Sequence, residues 1–386
     1  MSLDRSNILA IGCGGCGCSQ LDILMDLDIR YSGIFMNTNL SEMENLKHFD
    51  QNRRSFYIAN ADGTGKNRDV AAKYIKEDAP KFAEVIRRYI NQTYVIFLGG
   101  MSGGTGSKAM IMLSKLTKRL CPEKSVNIIA TFPDCNLSIL DYKNTIDTWN
   151  ELIELREKGI IDSLQFINNN KCEDLSIDLQ GINIKAMNDL NDSFNIIGNK
   201  LDSSDFERTF KSKGYRIMLK LDPAIKSIDF AIKQSLYNSV FYGLEALENF
   251  DKLNAQNQFE CDAFIGNVNT DIYDLNVIQK KIKSYDIDKF NIDKSQDTFI
   301  ILGGCSLPTE GIDWSKEMLE NLLTEKKERK MNKDLFINID KNINDNNTLE
   351  SINKEIASTT TTDKKSSSKL SSKDIKNLFE DDFWDK

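Results

Sequence analysis

The sequence predicts an α/β fold in which a parallel sheet is flanked by helices. Two stretches support this prediction, because each passes from a short apolar strand through a glycine-rich loop into a helix-like pattern. They are residues 7–27, with glycines from 12 to 17, and residues 94–118, with glycines from 99 to 106. Such glycines let the backbone approach an anion, and the following helix adds unpaired N–H groups. The two loops therefore predict a phosphate-binding site, although either one alone is also consistent with a solvent-facing turn.

Composition predicts a globular protein, and the length of the chain allows two domains. The chain has 386 residues, of which 40% are hydrophobic and 28% charged, and its net charge is -8. An acidic chain has no general reason to bind nucleic acid, so we expect no direct sequence-specific contact with DNA. Residues 1–6 are too polar to begin a secretory signal, and no apolar run is long enough to span a bilayer. We therefore expect a cytoplasmic protein without a membrane partner.

Eight cysteines and one histidine raise the question of disulfides or metal. Free thiols are expected, because the chain is long and shows no export signal. Cys13, Cys16 and Cys18 are close in sequence, but no second pair of cysteines or histidines completes a four-ligand zinc set. His48 lies in a polar stretch without an evident nucleophile partner, so neither a zinc site nor histidine-based catalysis is predicted.

The first glycine loop leaves a second class of nucleotide-binding protein open. Gly12, Gly14 and Gly17 satisfy the GxGxxG pattern of dinucleotide-binding Rossmann domains, which predicts an NAD-dependent oxidoreductase. That class needs an acidic residue at the end of the next strand, to hold the ribose hydroxyls. The next strand ends in Asn37-Thr38-Asn39 and offers no acid. A dinucleotide scheme also leaves the second glycine loop unexplained.

The second glycine loop favours a different family. It is not a Walker A loop, because Gly106 is followed by Ser107 and Lys108 rather than by lysine and a hydroxyl residue. The run Ser102-Gly103-Gly104-Thr105-Gly106-Ser107 instead resembles the signature loop of the tubulin and FtsZ superfamily of GTPases. It departs from that pattern at Lys108, where those families usually carry glycine. The resemblance implies that this loop holds the phosphates of GTP.

Two further loops follow apolar runs in the order that this resemblance implies. Residues 61–68 are similar to the loop that senses the terminal phosphate, although Asp-Gly and Gly-Lys-Asn are also common turn sequences. The apolar run 126–132 leads to Pro133-Asp134, where members of the family contact ribose. The glutamate and arginine that FtsZ usually places after this point are replaced by Leu137 and Asp141. The ribose contacts therefore stay unassigned.

Asparagines are predicted to read the guanine base. Asn169 follows the strand at 163–167 and matches by spacing an asparagine that contacts guanine in FtsZ. An amide donates and accepts hydrogen bonds at once, which suits a base edge, but an ordinary asparagine-rich turn has the same composition. A helix predicted from about 182 to 201 resembles the central helix of the superfamily, and in it Asn195 matches a second guanine contact.

Asp202 and Asp205 are the candidate catalytic residues. Residues 201–208 resemble the loop that FtsZ and tubulin insert into the nucleotide pocket of the next subunit, and the two acids keep the spacing of its catalytic pair. In that role they would orient and polarise the attacking water. The alternative is a helix amino cap, since Asp and Ser are common cap residues and Asp205 can begin the next helix.

The carboxyl-terminal part of the chain alternates strands and helices and then becomes polar. The alternation resembles the smaller α/β activation domain of the superfamily. Its predicted elements are strands at 216–221, 261–268 and 297–302 and helices near 227–250 and 272–285. From about residue 342 polar residues dominate, which predicts a flexible tail. The last residues carry Leu378, Phe379, Phe383 and Trp384 among acids, and such a peptide can bind either a partner's groove or its own body.

The resemblance covers roughly residues 7–315 and implies a tubulin/FtsZ-like α/β fold with a Rossmann-type GTP-binding domain. The implied division is 1–181 for the GTP-binding domain, 182–201 for the central helix, 202–315 for the activation domain, 316–341 for a carboxyl-terminal helix and 342–386 for the tail.

Within the superfamily the sequence is most similar to TubZ-type proteins, which segregate plasmid and phage DNA. This implies a GTPase that binds GTP or GDP with Mg²⁺, polymerises head to tail and completes hydrolysis with the acidic loop of the adjacent subunit. The tail would bind a DNA-binding adaptor. The predicted nucleotide-binding residues are Gly14, Gly15, Cys16, Ser19, Asn37, Gly65, Asn67, Gly103, Gly104, Thr105, Gly106, Asn169 and Asn195. The alternatives are an FtsZ-like cell-division GTPase, the NAD-binding oxidoreductase and a nucleotide-binding scaffold that does not hydrolyse.

Overall fold

The computed structural model describes most of the chain in two compact units. The described residues are 4–59, 61, 63–134, 137–196, 201–212, 214–241, 259–294 and 296–344. The first unit comprises residues 1–318, and the second comprises residues 319–386. The boundaries predicted near residues 182 and 202 both fall inside the first unit.

Six parallel strands form the first half of the sheet. They are β1 (Ile8–Cys13), β2 (Ser32–Asn37), β3 (Ser55–Tyr57), β4 (Tyr94–Gly100), β5 (Ser125–Phe132) and β6 (Ser163–Asn168). Their order in the sheet is β3-β2-β1-β4-β5-β6. The central strands are buried along almost their whole length, as expected of a parallel sheet covered by helices on both faces. This is the architecture that the two strand, glycine loop, helix units predict.

Seven helices accompany these strands. They are α1 (Gly14–Leu27), α2 (Leu40–Glu44), α3 (Arg68–Arg87), α4 (Thr105–Leu120), α5 (Ile139–Glu157), α6 (Lys171–Leu175) and α7 (Leu179–Ser193). The chain moves outward from β1 to β3 and then in the opposite direction from β4 to β6. Because parallel crossovers are right-handed, α1 lies on one face of the sheet and α3, α4 and α5 lie on the other. The order reverses between β1 and β4, whose carboxyl ends carry the two glycine loops.

The central helix differs from its prediction at both ends. A helix was expected from about 182 to 201, whereas α7 begins at Leu179, capped by Asp178, and ends at Ser193. A single 3-10 turn, Phe194–Ile196, follows it. Residues 197–200 lie outside the described residues, and α8 (Ser203–Lys211) begins soon after them.

The second half of the sheet is mixed. Its strands are β7 (Tyr215–Lys220), β8 (Phe259–Val268), β9 (Ile282–Ile292) and β10 (Phe299–Cys305), in the order β7-β10-β8-β9. The β10 strand is antiparallel to β7 and β8, while β8 and β9 are parallel. One residue pair, Leu164 with Tyr215, joins β6 to β7 and makes the two halves continuous.

One prediction in this half is wrong. A helix was expected over 272–285, but α10 (Leu275–Lys281) ends at Lys281 and β9 follows at once. Pairing with β8 explains the difference, because it buries Ile282, Ile287 and Phe290 in an extended segment whose remaining residues are mostly polar. The helix predicted over 227–250 is α9 (Ile228–Asn238) in the described residues, which resume at 259 after a gap from 242.

The last helix, α11, spans Glu310–Asn344 and therefore begins before and ends after the predicted 316–341. The tail and its terminal peptide, including Leu378, Phe379, Phe383 and Trp384, lie outside the described residues. Among the helices that the structure describes, none combines the length and the apolar character needed to cross a membrane.

Candidate functional site

The two edges of the parallel half are used differently. We call the carboxyl ends of β1 to β6 with their following loops the phosphate edge, and the edge where these strands begin the amino edge. The strand order reverses between β1 and β4, and ligands of open α/β sheets bind at the carboxyl ends beside such a reversal. Both glycine loops lie at this point of the phosphate edge, so the fold places them where a ligand is expected.

The two glycine loops touch each other through their backbones. A Cβ atom on Gly14 would lie 2.9 Å from the nitrogen of Gly106, and one on Gly106 would lie 2.7 Å from the oxygen of Cys13. Gly14 also has a φ of +67°, which disfavours any residue with a side chain. By contrast, a Cβ on Gly103 would meet no atom within 4 Å. Close packing therefore fixes the position of the two glycine loops relative to each other at Gly14 and Gly106, while the backbone at Gly103 is open to a ligand.

The first two turns of α1 carry four of the predicted residues, Gly14, Gly15, Cys16 and Ser19. The amino-terminal N–H groups of α1 point out of the helix end and can bind an anion. The Ser19 hydroxyl donates to the Gly15 carbonyl at 3.0 Å. Burial raises the pKa of the Cys16 thiol, although a hydrogen bond with Thr131 opposes this, so the thiol is neutral at pH 7. Cys16 can line the site but is not a thiolate nucleophile.

Threonine hydroxyls from three loops meet at the signature loop. The Oγ1 atom of Thr105 lies 2.9 Å from that of Thr38, after β2, and 3.2 Å from that of Thr64, after β3. Next to Thr38, the predicted Asn37 donates its amide to Glu42 Oε2 at 2.8 Å. The threonine hydroxyls therefore join the loops after β2, β3 and β4, on the side of the glycine loops away from β6. The Glu42 carboxylate adds a negative charge near them.

The loop of residues 63–67 follows a tight path against the signature loop. Gly63, Gly65 and Lys66 have φ values of +75°, +55° and +64°. A Cβ on Gly104 would lie 2.8 Å from the carbonyl carbon of Lys66. The side-chain oxygen of Asn67 caps α3, accepting from the backbone of Asp69 at 3.0 Å and of Val70 at 3.1 Å. Gly65 and Gly104 thus lie together at the phosphate edge, while the side-chain oxygen of Asn67 already accepts two backbone hydrogen bonds.

One polar stripe on α5 holds these loops in place. Its members are Asp141, Asn144, Thr148 and Glu151, spaced by three, four and three residues, so they lie on one face of the helix. The Asn144 amide donates to the carbonyls of Lys66 and Ser102, both at 2.9 Å. The Thr148 hydroxyl donates to the Met101 carbonyl at 3.1 Å. Sequence reasoning missed this stripe, although its helical spacing was available to find it.

The two ends of the α5 stripe bind cations. Lys66 Nζ lies 2.7 Å from Asp141 Oδ1, and Glu151 accepts from Lys108 at 3.0 Å and from Arg68 at 2.9 Å. Burial alone would raise the pKa of Asp141, but hydrogen bonds from Lys66 and Ser138 outweigh it, and the pKa is lowered. Lys108 stands where the family usually carries glycine, and its ammonium group forms an ion pair with Glu151 of α5.

The asparagines after β6 have different environments. Asn168 is buried and its side-chain oxygen accepts from the Asn170 nitrogen at 2.9 Å. The Asn168 nitrogen donates to the Val240 carbonyl at 2.8 Å, which ties this loop to the second half of the sheet. Asn169 lies between them, partly exposed at the phosphate edge. Its position is compatible with the predicted contact to a base.

The prediction that Asn195 contacts guanine is wrong, because α7 crosses the sheet from edge to edge. Asn183, near the start of α7, accepts from Gln20 at 2.9 Å, and the same Gln20 nitrogen donates to Thr131 near the carboxyl end of β5. Asn195, beyond the other end, accepts from Arg5 at 2.7 Å, just before β1 begins. Asn195 is therefore at the amino edge, and Asn183 is the asparagine nearer the phosphate loops.

The candidate acids Asp202 and Asp205 also lie at the amino edge. Phe206, one turn further along α8, stacks on Phe210, whose ring lies 6.2 Å from that of Tyr94, the first residue of β4. Because β1 has six residues at about 3.3 Å each, the two edges are roughly 20 Å apart. The structure therefore does not bring these acids to the phosphate loops of the same chain.

The two acids form a capping box for α8. Asp202 accepts from the nitrogens of Ser204 at 2.9 Å and of Asp205 at 3.0 Å, and Asp205 accepts from the Asp202 nitrogen at 3.3 Å. Asp205 is 4% exposed and pairs with Lys289 at 2.7 Å. Asp202 is exposed, and hydrogen bonds from the Asp205 and Ser204 nitrogens lower the pKa of its carboxyl. The cap exists, and it leaves Asp202 ionised on the surface.

Residues 7–177 match the model of the Tubulin/FtsZ family, GTPase domain. The tubulin-like protein TubZ of Clostridium botulinum C phage is 23% identical over 329 residues, which cover 84% of this chain and 86% of that protein.

Solved structures show the same fold. A tail-truncated TubZ of Clostridium botulinum phage c-st superposes with a TM-score of 0.71 at 20% identity, covering 83% of this chain and 99% of that one. A GTPγS-form protofilament of Bacillus thuringiensis serovar israelensis TubZ gives a TM-score of 0.68 at 15% identity, covering 84% and 94%. The matched GTPase domain favours a GTP-binding site over a dinucleotide site at the first glycine loop. The chain thus carries, in residues 7–177, a GTPase domain of the tubulin/FtsZ family.

Proposed function

We propose that this protein is a self-polymerising GTPase whose catalytic site is completed between subunits. One observation carries the proposal: the phosphate loops and the acidic segment at Asp202 lie on opposite edges of one sheet. A subunit cannot bring them together by itself, whereas a second subunit stacked on its phosphate edge can. Such a contact joins two different surfaces and does not close, so it generates a filament.

Asp202 is the acid that the adjacent subunit would present. It is exposed and ionised, while Asp205 is buried and neutralised by Lys289. Phosphoryl transfer depends mainly on positioning and electrostatics, and a fixed carboxylate can orient the attacking water. Asp205 then acts as a positioning residue, because its bond to the Asp202 nitrogen holds the cap in shape.

The nucleotide would lie across the phosphate edge. Its phosphates would contact the amino-terminal end of α1, from Gly14 to Ser19, and the loop from Gly103 to Gly106, with Asn169 beside the base. The hydroxyls of Thr38, Thr64 and Thr105 are hard oxygen donors of the kind that Mg²⁺ prefers. Among the described residues no cluster of three or more His, Cys, Asp or Glu side chains can hold a metal. Bound Mg²⁺ would therefore take most of its ligands from phosphate and water, and would neutralise phosphate charge.

The similarity to TubZ supports a role in moving DNA. A TubZ protofilament shares the fold, and the phage protein is similar over most of both chains. In this role the filament would segregate plasmid or phage DNA inside the cytoplasm. The acidic chain would reach DNA through a basic adaptor bound by the apolar residues of its tail, which lie between 378 and 384.

The proposal is tested by measuring phosphate release from GTP as a function of protein concentration, with light scattering in parallel. We expect turnover per molecule and scattering to rise together above one critical concentration. Turnover per molecule that is constant on dilution, without scattering, would show a self-contained GTPase and overturn the proposal.

Asp202→Asn separates the charge of Asp202 from its capping role. Asparagine caps helices as well as aspartate does, so the fold should be unchanged. We expect GTP turnover above the critical concentration to fall about 100-fold, within the range for loss of a catalytic carboxylate, while scattering persists. The matched control is Asp274→Asn, which changes the cap of α10 in the same way and should leave turnover unchanged.

A mixing experiment tests whether the acid acts on the neighbouring subunit. Gly103→Asp places a carboxylate in the open space beside the phosphates, and should block GTP binding without a steric clash. This variant keeps Asp202, whereas Asp202→Asn keeps the phosphate loops. We expect a mixture of the two to hydrolyse GTP faster than either alone. A mixture no more active than the sum of its parts would contradict catalysis between subunits.

A further inference from the structure

We propose that the Arg216 guanidinium and the Tyr94 hydroxyl bind a small monovalent anion, such as chloride, inside the protein. Both side chains pack against the Phe210 ring of α8, on the face of the sheet that this helix covers. The proposal concerns groups that GTP hydrolysis does not use, and it does not rest on the proposed function. Its basis is a buried positive charge whose hydrogen-bond donors are only partly satisfied.

Arg216, the second residue of β7, is a buried cation with unsatisfied donors. It is 3% exposed, and its Nη2 donates to Oε1 of Gln165, which is a neutral amide. Its Nε and Nη1 atoms have no hydrogen-bond partner in the part of the chain that the structure describes. These two atoms carry three of the five N–H groups of an arginine. Leaving the donors of a buried charged group unmade is costly, so a ligand that accepts from them would stabilise the fold.

The Phe210 ring compensates only part of this charge. The guanidinium carbon of Arg216 lies 3.6 Å from the ring centre, which is a cation–π contact. An aromatic face attracts a cation through its quadrupole but supplies no formal negative charge. Burial lowers the pKa of Arg216 to about 9, so the guanidinium remains charged at pH 7. The site therefore keeps a net positive charge.

The carboxylates nearest this site already have cations of their own. Glu207 of α8 forms an ion pair with Lys211, one turn further along the helix. Asp162, before β6, pairs with Lys118 at 3.2 Å and also accepts from the Val126 nitrogen at 2.8 Å. Among the described residues, no carboxylate forms an ion pair with Arg216. The negative charge that a buried guanidinium requires is therefore not provided by these residues.

Tyr94, the first residue of β4, adds a further donor. It is 5% exposed, its ring contacts that of Phe210 edge to face at 6.2 Å, and its hydroxyl has no hydrogen-bond partner among the described residues. Burial raises the pKa of Tyr94, so the hydroxyl keeps its proton and can donate. Two unsatisfied donor groups, one charged and one neutral, thus lie against the same aromatic ring.

Short polar side chains form the floor between Tyr94 and Arg216. The strand register pairs Tyr94 with Ser125 and Asn127 with Ser163, and paired residues of parallel strands point to the same face of the sheet. The Ser163 hydroxyl donates to Asn127 at 2.8 Å, and the Asn127 amide donates to the Ser125 hydroxyl at 3.3 Å. This floor is polar and satisfies itself, so it does not compete for the donors of Arg216 and Tyr94.

The chemistry of these groups selects the ligand. Several donors around one positive charge exclude a cation, and a single negative charge neutralises the guanidinium. A water molecule would accept from one donor but would bring no charge, whereas an anion forms the stronger charge-assisted bonds. A small ion also suits a fully enclosed place. Such an ion would connect β4 of the first half of the sheet with β7 of the second half, below α8.

The test is the thermal midpoint of the full-length protein as sodium chloride replaces sodium gluconate at constant ionic strength. Gluconate is too large for an enclosed site, so only chloride can bind there. We expect the midpoint to rise by about 3 °C and to saturate, as a ligand that binds the folded state requires. A midpoint that does not change, or that changes without saturation, would overturn the proposal.

Three variants assign the chloride effect to this site. Arg216→Met replaces the buried charge by an apolar chain, which proteins often tolerate, and should abolish the effect. Tyr94→Phe removes one hydroxyl and should raise the half-saturating chloride concentration about fivefold, as for one hydrogen bond. The matched control is Arg156→Met, because Arg156 is also buried but donates to the carbonyls of Lys211 and Ser212. This control should keep the chloride effect.

The anomalous scattering of bromide locates the ion directly, and it decides the question even if Arg216→Met does not fold. In crystals grown with sodium bromide, we expect an anomalous peak at about 3.3 Å from Nε or Nη1 of Arg216. An ordered water there without an anomalous signal would overturn the proposal. A chloride effect that persists in Arg216→Met would do the same.

Discussion

The phosphate edge and the amino edge of the sheet differ in the residues that form them. At the phosphate edge the backbones of the two glycine loops are in contact at Gly14 and Gly106, and polar side chains of α5 form hydrogen bonds with the neighbouring loops. At the amino edge aromatic rings of α8 pack against the sheet, with Phe206 and Phe210 stacked at 4.3 Å. The phosphate edge is therefore suited to a charged ligand, whereas the amino edge combines a buried aromatic cluster with the exposed Asp202.

Two buried arginines complete the amino edge. The Arg216 guanidinium lies 3.6 Å from the centre of the Phe210 ring, and burial lowers its pKa to about 9, so it stays charged at pH 7. Arg156 of α5 donates to the carbonyls of Lys211 and Ser212 at the carboxyl end of α8. The helix that Asp202 caps is therefore held at its far end by the same α5 that holds the phosphate loops.

The largest expected effect comes from filling the contact between the glycine loops. In Gly106→Ala the new methyl group would lie 2.7 Å from the Cys13 oxygen, so the loops must separate. We expect a loss of about 1–3 kcal/mol in the free energy of unfolding and, because displaced groups lose alignment, about 100-fold weaker GTP binding. Thermal unfolding and nucleotide titration measure the two effects.

Gly103→Ala is the comparison for this prediction, because its methyl group would meet no protein atom within 4 Å. Its thermal midpoint should equal that of the original protein even if nucleotide binding weakens. A Gly106→Ala protein that is as stable and binds GTP as well as Gly103→Ala would show that the two loops do not need their close contact.

A smaller effect is expected at the amino edge from Lys289→Met. This change leaves the buried Asp205 carboxylate without the ammonium at 2.7 Å. Lys289 is half exposed, so water can replace part of the interaction, and we expect a loss of about 1–2 kcal/mol in the free energy of unfolding in denaturant. Lys294→Met is the control, because its pair with Asp271 is exposed on both sides and should contribute under about 0.5 kcal/mol. Equal losses in the two variants would contradict a special role for Lys289.

The smallest effect concerns acid stability at the phosphate edge. Burial opposes ionisation of Asp141, but the hydrogen bonds from Lys66 and Ser138 prevail and lower the pKa of its carboxyl below the ordinary value of 3.8. A carboxyl whose pKa is lower in the folded state contributes stability above its unfolded pKa and loses it as the pH falls through the folded value. Lys66→Gln should therefore flatten the decrease in unfolding free energy below about pH 4. An unchanged acid limb would show that Lys66 does not stabilise the charged form.

The sequence predicted the structure correctly where a strand, loop or helix cap is formed by neighbouring residues of the chain. The two strand, glycine loop, helix units appear as β1 with α1 and β4 with α4, and the spacing of Asp202 and Asp205 allowed the capping box that forms. The strand β9 was missed because its apolar positions are irregular, and only pairing with β8 keeps residues 282–292 extended.

Contacts between distant segments could not be predicted in this way. Lys289 is 84 residues from Asp205, and nothing in either segment indicates the pair. Asn195 was chosen by its distance along a helix whose end was placed too late, so the predicted contact fell on the wrong edge. The polar stripe of α5 is an intermediate case, because its spacing is local but the loops that it holds are not.

The joint between β6 and β7 has a mechanical consequence. A ten-stranded sheet normally resists twisting because many hydrogen bonds cross between each pair of neighbouring strands, yet here the ladder between β6 and β7 has one residue pair, Leu164 with Tyr215. The bridge between Ile167 and Phe241 and the hydrogen bonds of the Gln165 side chain with Arg216 supplement it. Torsion applied to the subunit would therefore concentrate at this joint, which has the shortest ladder in the sheet. In a filament under load, this seam would be the compliant element of each subunit.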